Sequence, residues 1–561
     1  MDERQQVRSE VTGLQENNTR VNRESKGLSD INRHKRSRVE SRLYKSRLWW
    51  LGMLAFAAFV WQAFPAAAQQ NADSKLNLNQ LPGLLEPQGK PIPEMDFDNP
   101  LMTEDEENAF RRSPDPRKRP GIMIFREALR STRLTDEQRK DIQEGVRWYL
   151  ARFTMPKYRL TLYRLRQEIL RDLHLYAKHP STRLFFLQEL TNAAEEIIEP
   201  RKFKITQKSG QDIVIEITDY DLKDGKEHTR TVKVKDATEL ESWRKKDPIA
   251  VELYERYGRR HLYFGGDGGP QHFLVRINAI LLLTELDEKE GDPMKNIPAV
   301  PFIPVSKVLL RVMNDPQQRY VYRFPAVSGL QRICLYGDLP RSHKLRATVV
   351  DLFIRELKRQ DTHWWYHKVL VEGLAASGVL YGSDRGGVPI VAQTLAEKIA
   401  DKKENYQVRA AAAKAIARAE LDSRIQTAPI IYAIVDLAYE MAKQYNSKPK
   451  AYPWTNCFLD IYLAFKPVYQ GEKTVNGSRT AGFLADNKSS KMAEDAYAKL
   501  LPVIRAVLHG QGKQRISKKY LSDLAAWLKK NRPQSLSIVP EGKPIMSALS
   551  TRTNQWKLAL Q

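Results

Sequence analysis

The chain has 561 residues, 42% of them hydrophobic, and a formal net charge of +24. That apolar content is enough for several globular cores or one long stacked body, and the charge favours acidic partners: nucleic acid, anionic headgroups, acidic polymers or acidic proteins. Two cysteines, Cys334 and Cys457, stand far apart with no CxxC, CxxCH or Cys/His zinc spacing; a disulfide between them stays open but has no support in the sequence, and the pair reads as two buried small apolar residues.

Residues 1–47 form a basic leader, with 12 Lys and Arg against 7 Asp and Glu. Residues 48–68, LWWLGMLAFAAFVWQAFPAAA, carry no charge. About 20 apolar residues span a bilayer as a helix, and a positive flank predicts that 1–47 stay cytoplasmic while the bulk crosses. Ala66-Ala67-Ala68 before Gln69 fits an A-x-A cleavage site, with Pro65 breaking the helix just ahead of it. A cleaved signal peptide and an uncleaved signal anchor therefore both stay open, as does a translation start nearer Leu43. Either way the chain is expected to be exported and associated with the cell envelope. Residues 69–120 are rich in Pro, Asn, Asp and Glu and are expected to form a disordered linker.

Helical patterning begins after Gly121, and 121–202 is expected to be an N-terminal helical region. Thr135-Asp136-Glu137-Gln138 makes a capping box. Periodic runs follow at 160–176 and 182–199, the second stopped by Pro200. Arg159, Arg164, Arg166 and Arg171, interleaved with Tyr158, Tyr163 and Tyr176, are either solvated residues of an amphipathic helix or a polyanion surface. Residues 203–240 change period. Ile213, Ile215 and Ile217 alternate, as do Val232 and Val234, with Asp224-Gly225 between them, so a small inserted β-hairpin is expected. Asp219, Asp221 and Asp224 depart from the EF-hand spacing, because Lys223 sits where an oxygen ligand is needed.

Residues 241–465 are expected to hold helical repeats. The Gly265-Gly266-Asp267-Gly268-Gly269-Pro270 stretch lacks the Lys-Ser/Thr of a phosphate loop and reads as a connector. Helix-length runs follow at 273–286, 304–313, 321–335, 345–357, 364–380, 388–399, 406–421 and 430–441, parted by short polar, Gly or Pro segments. Four segments share one pattern: Arg276-Ala279-Leu283, Arg323-Ala326-Leu330, His367-Leu370-Leu374 and Arg409-Ala412-Ile416. They recur at intervals of 47, 44 and 42 residues. That is the period of stacked two-helix units, each with an apolar face it cannot cover alone.

Gln407-Val408-Arg409-Ala410-Ala411-Ala412-Ala413-Lys414-Ala415-Ile416 and Leu274-Val275-Arg276-Ile277-Asn278-Ala279 resemble the second helix of the HEAT-repeat family. The family's Val-Arg opening is reduced to Tyr322-Arg323 and Tyr366-His367 in the middle units. The resemblance covers roughly residues 270–465. It implies a superhelical, armadillo-like α-solenoid of stacked antiparallel helix pairs whose usual work is partner binding. It brings no catalytic residue, and it implies that the basic residue of each unit ties its helix to a neighbouring unit.

His363 and His367 share a helix face near Asp361, a spacing that could grip a metal, but no third ligand is identifiable, and the aromatic residues around them read as packing. Residues 466–491 turn polar and Gly- and Asn-rich, a long loop that carries the Asn476-Gly477-Ser478 acceptor pattern. Residues 492–561 should hold C-terminal helices at 492–508 and 517–528, with a short last helix near Trp556. No G-x-S-x-G, Walker loop or dinucleotide fingerprint is present, and Ser242-Trp243-Arg244-Lys245 is a chance-level serine–lysine spacing.

The expectation is a mostly α protein, an α-solenoid with a small inserted β-hairpin and an N-terminal hydrophobic segment. It would be an exported or membrane-anchored scaffold for a protein or acidic polymer partner, and it would meet the membrane through 48–68 if that run is uncleaved. No catalytic, cofactor-binding or metal residue is assigned. Nucleic acid suits the charge but not the export element. The alternative is a basic repeat protein that binds nucleic acid or another polyanion, including an enzyme of the HEAT-like DNA glycosylase type.

Overall fold

The computed structural model describes residues 100–545, except 207–212, 222–225, 259–260, 265–270, 316–317, 360–361, 384–388, 467–481, 486–489, 511–513, 540–544 and isolated single positions. The chain divides into Met1–Leu78 and Asn79–Gln561. The first unit, with the apolar run 48–68, lies outside the described residues, as do Asn476 and the expected helix near Trp556. Among the described helices none is long and apolar enough to cross a membrane.

The body is mostly α-helical and carries a small antiparallel sheet. It begins with α1 (Glu104–Arg111), α2 (Gly121–Arg130), α3 (Asp136–Ala151), α4 (Leu162–Tyr176) and α5 (Pro180–Ile198). Helix α1 corrects the expectation of a disordered linker through residue 120. Thr103 and Glu106 make a reciprocal capping box, and four acidic residues fill the first turn, where the helix dipole favours them. Phe110 then stacks on Trp148 at 5.1 Å. Averaged composition hid the box, and the apolar partner comes from far along the chain.

Strands β1 (Lys202–Thr206), β2 (Ile213–Asp221) and β3 (Lys226–Val234) form a three-stranded antiparallel sheet with β2 in the middle. Ile215 pairs with Ile205 on one side and with Val232 on the other. The expected two-stranded hairpin thus gains β1, and its Asp224-Gly225 turn lies outside the described residues. Alternate residues Ile213, Ile215 and Ile217 form a separate small core with Ala250, Leu253 and Tyr257. These last three belong to α7 (Pro248–Tyr257), which follows the short α6 (Ala237–Ser242). Helix α7, expected among the repeats, therefore belongs to the sheet unit.

The remaining helices are α8 (Phe273–Glu285), α9 (Val305–Asn314), α10 (Tyr320–Tyr336), α11 (Lys344–Leu357), α12 (Trp364–Ala376), α13 (Ile390–Ala400), α14 (Tyr406–Arg418), α15 (Thr427–Ser447), α16 (Trp454–Phe465), α17 (Lys491–Gly510) and α18 (Lys518–Lys530). A two-residue ladder, β4 (Asp287–Lys289) with β5 (Val300–Pro301), bridges α8 and α9. Their packing follows chain order. Even-numbered helices contact their successors in turn: α8 meets α10, α10 meets α12, α12 meets α14, α14 meets α16, and α16 meets α17. Helices α9, α11 and α13 each pair with the helix that follows, and α9–α11, α11–α13 and α13–α15 touch alongside.

Local chemistry fixes the helix starts. His272, His343 and His363 each cap a helix, their Nδ1 accepting the backbone N–H two residues on at 3.2, 3.2 and 3.4 Å. Asn405 does the same for α14 at 2.9 Å. Such acceptors satisfy amides that the first turn leaves unpaired. Gly329 lets α10 approach its neighbours closely, since a Cβ there would meet Thr284 of α8 at 2.6 Å and Leu309 of α9 at 2.7 Å. One continuous apolar core runs from Met102 through these helices to Ile545.

Candidate partner-binding face

The four basic residues of the recurring pattern are all buried. Arg323 on α10 donates to Glu356 of α11 at 3.0 Å and to the Asp315 carbonyl that ends α9 at 3.0 Å. Arg409 on α14 donates to the Ile399 carbonyl near the end of α13 and to Glu440 of α15, each at 2.9 Å. Arg276 on α8 reaches the Ile198 carbonyl that ends α5 at 2.9 Å and Gln318 at 2.6 Å. His367 on α12 sits 2.8 Å from Glu404, between α13 and α14. Each base therefore reaches a group on a different helix or loop. A carbonyl at a helix C-terminus lacks an intrahelical donor, so a buried guanidinium satisfies it directly.

Burial alone would raise the Glu404 carboxyl, but hydrogen bonds from His367 and Lys398 outweigh it and pull the carboxyl down to about 2. Tyr366 is pushed well up, first by burial and then by Glu356. Both ring nitrogens of His367 face protein groups, Glu404 and Thr362. His363 serves as a helix cap, and Asp361 lies outside the described residues. Among the described residues no group of three or more His, Cys, Asp or Glu is arranged to hold a metal.

The other residues singled out by sequence scatter. Asp219 and Asp221 pair through their backbones with His228 and Lys226 in the sheet. The Ser242 hydroxyl donates to the Glu239 carbonyl at 2.6 Å. Cys334 on α10 and Cys457 on α16 are free and buried, and burial first pushes their thiols up to about 11 and about 12. The basic and aromatic set of the N-terminal region splits. Arg166 turns inward, to Glu285 at 2.9 Å and Asn278 at 2.7 Å, while Arg159, Arg164 and Arg171 stay exposed.

The sides of the even-numbered helices that neither the pairing helix nor the core covers form a row. At α8 Arg166 of α4 reaches across it to Asn278 and Glu285, and among the described residues the row carries partly exposed side chains from α10 onward. On α10 it carries Val321 and Phe324, half-buried, and Ser328, exposed. Phe324 meets Trp365 of α12 edge to face at 5.1 Å. Next along α12 come Lys368, Val369 and Glu372, with Lys368 2.6 Å from Glu372. Lys414 of α14 lies 4.0 Å from Glu372 and 2.5 Å from Asp460 of α16, linking three helices. Leu459 on α16 is 40% exposed, and Leu463 is half-buried. The result is a strip of apolar contacts interrupted by a charge ladder, the mixture on which protein partners are held: apolar anchors with polar groups that fix register. Sequence reasoning missed Glu356 and Glu440 as partners of the repeat bases. Their offsets of 33 and 31 residues from Arg323 and Arg409 were the available signal.

Comparison with protein-family models, curated proteins and solved structures finds no match to this chain.

Proposed function

We propose that the chain is a HEAT-like repeat scaffold, exported or membrane-anchored, that binds a protein or polymer partner in the cell envelope rather than catalysing a reaction. The observation that carries this reading is the chain-order packing of the even-numbered helices, with a buried base tying each of α8, α10, α12 and α14 to a different element. Helices stacked in sequence produce a long side surface that a single partner can follow. The Phe324–Trp365 pair and the Glu372–Lys414–Asp460 ladder lie on that surface. The export reading rests on the apolar run 48–68 and its basic flank, in sequence.

The reading is tested by placing a photo-crosslinker at Val369 in the full chain and irradiating intact cells. The expected result is a discrete crosslinked product that disappears in Phe324→Ser/Trp365→Ser at unchanged abundance. No product from Val369, together with none from Leu459, contradicts it.

A further inference from the structure

Among the described residues, eleven large apolar side chains are exposed, and Met123, Ile124, Leu160, Tyr163, Leu175 and Leu184 cluster between residues 121 and 184. Leu160 is 95% exposed and Leu175 50%. Leu175 belongs to one face of α4, the stripe Arg164, Gln167, Arg171 and Leu175, whose spacings of three and four keep it on one side, and Leu160 stands in the turn that leads into the helix. From Arg164 to Leu175 that face runs about 17 Å.

The stripe holds no carboxylate. The two acidic residues of α4 point elsewhere: Asp172 is fully buried against Arg126 at 2.7 Å and Tyr149 at 2.5 Å, and Glu168 pairs with Arg152 at 3.2 Å. Arg171 is 58% exposed and passes 3.6 Å from Asp172. At the C-terminal end His174 and Lys178 share Glu290 at 3.0 and 3.4 Å, which leaves Arg164 and Arg171 as the outward cations of the stripe.

We propose that this face of α4 rests on the surface of an anionic bilayer, with Arg164 and Arg171 on headgroup phosphates and Leu160 and Leu175 entering the interfacial zone. Cations flanked by aliphatic side chains suit that zone, where each basic residue and each buried methylene contributes. An acidic polypeptide would neutralise the arginines but gain little from Leu160 and Leu175. The inference rests on the membrane-linked reading above. Only residues 69–99 separate the apolar run from the described body, a reach of at most about 110 Å. Such a tether raises the effective concentration of the surface, so a weak contact suffices.

The test uses the full chain reconstituted into vesicles of phosphatidylcholine, with or without phosphatidylglycerol. Cys334 and Cys457 are buried, so Gln167→Cys takes an environment-sensitive fluorophore selectively. A second label at Ser328→Cys reports on α10. The expected result is a blue shift at 167, and none at 328, that requires phosphatidylglycerol. It should reverse at about 0.5 M salt and vanish in Arg164→Glu/Arg171→Glu, whose melting temperature should match that of the unsubstituted chain. Identical emission in the two vesicle types overturns the proposal, as does a shift that survives the charge reversals. A shift produced by added polyglutamate in neutral vesicles, with none from anionic lipid, assigns the face to an acidic polypeptide instead. None of these outcomes bears on crosslinking at Val369, so the two readings fail separately.

Discussion

Arg409 on α14 and Glu440 on α15 form an ion pair at 2.9 Å with 2% and 8% of their side chains exposed, while the same guanidinium donates to the Ile399 carbonyl at 2.9 Å. Removing Arg409 leaves the buried Glu440 with Lys402 at 3.8 Å, and breaking a buried pair costs up to about 3–5 kcal/mol, whereas replacing both partners by apolar groups of similar volume is often neutral. Arg409→Met should therefore lower stability by about that amount, and Arg409→Met/Glu440→Leu should recover most of it. Urea unfolding of the four members of the double-mutant cycle measures the coupling. Equal loss in the single and double variants would assign the whole effect to packing around Arg409.

The His367–Glu404 contact makes a pH-dependent contribution. The Glu404 carboxyl lies below its ordinary value of 4.5, at about 2, so its contribution is fully present above about 4.5 and is lost as pH falls towards 2. Thermal melts should show Glu404→Gln less stable than the unsubstituted chain at pH 6, with the gap closing as pH drops through that window. A gap independent of pH would remove the ionised carboxylate from the account.

Gly145 on α3 lies against the Phe125 ring of α2. An added Cβ would meet Phe125 Cδ2 at 2.1 Å. Phe125 is itself wedged edge-on between Tyr149 and Phe186, each at 5.6 Å, so the ring has little room to yield. Alanine favours a helix by about 1 kcal/mol over glycine, but overpacking of this kind costs about 1–3 kcal/mol. Gly145→Ala should thus be destabilising on balance, as read by denaturant midpoint, and a stabilised variant would show that the packing is looser than described.

Helix α1 depends on Glu107, which is 1% exposed and 3.2 Å from Arg152 Nε and 2.7 Å from Lys157 Nζ. Eight residues are too few to form a stable helix alone. Glu107→Ala should release α1 and raise amide exchange at 104–111 at least about tenfold, while exchange in α12 stays unchanged. Protection persisting at 104–111 would credit the Phe110–Trp148 stack instead.

The helices between residues 273 and 465 were legible because apolar periodicity and Gly or Pro punctuation coincide there. The runs expected at 345–357 and 406–421 appear as Lys344–Leu357 and Tyr406–Arg418. Strand β1 was missed because Lys202–Thr206 offers only Phe203 and Ile205, too few alternations to register as a strand. Helix α7 was misplaced because periodicity shows that a face is buried, not which core receives it. The accessible row was hidden for the same reason. Helices α8, α12 and α16 are apolar nearly all round, so Trp365 and Leu459 cannot be told in sequence from the core residues Leu370 and Phe458. The ion-pair partners of Arg323 and Arg409 lie on other helices, where no local rule reaches.

The proposed repeat stack makes a claim about how damage spreads, and hydrogen exchange across the chain tests it most directly. In a body where each helix pair leans only on its neighbours, stability is a sum of local and nearest-neighbour terms. Arg409→Ala should raise exchange in α13, α14 and α15 by at least about tenfold and leave α3, α4 and α5 at their original protection. A uniform rise from α3 to α18 would show a single cooperative globule and contradict the stacked-repeat account.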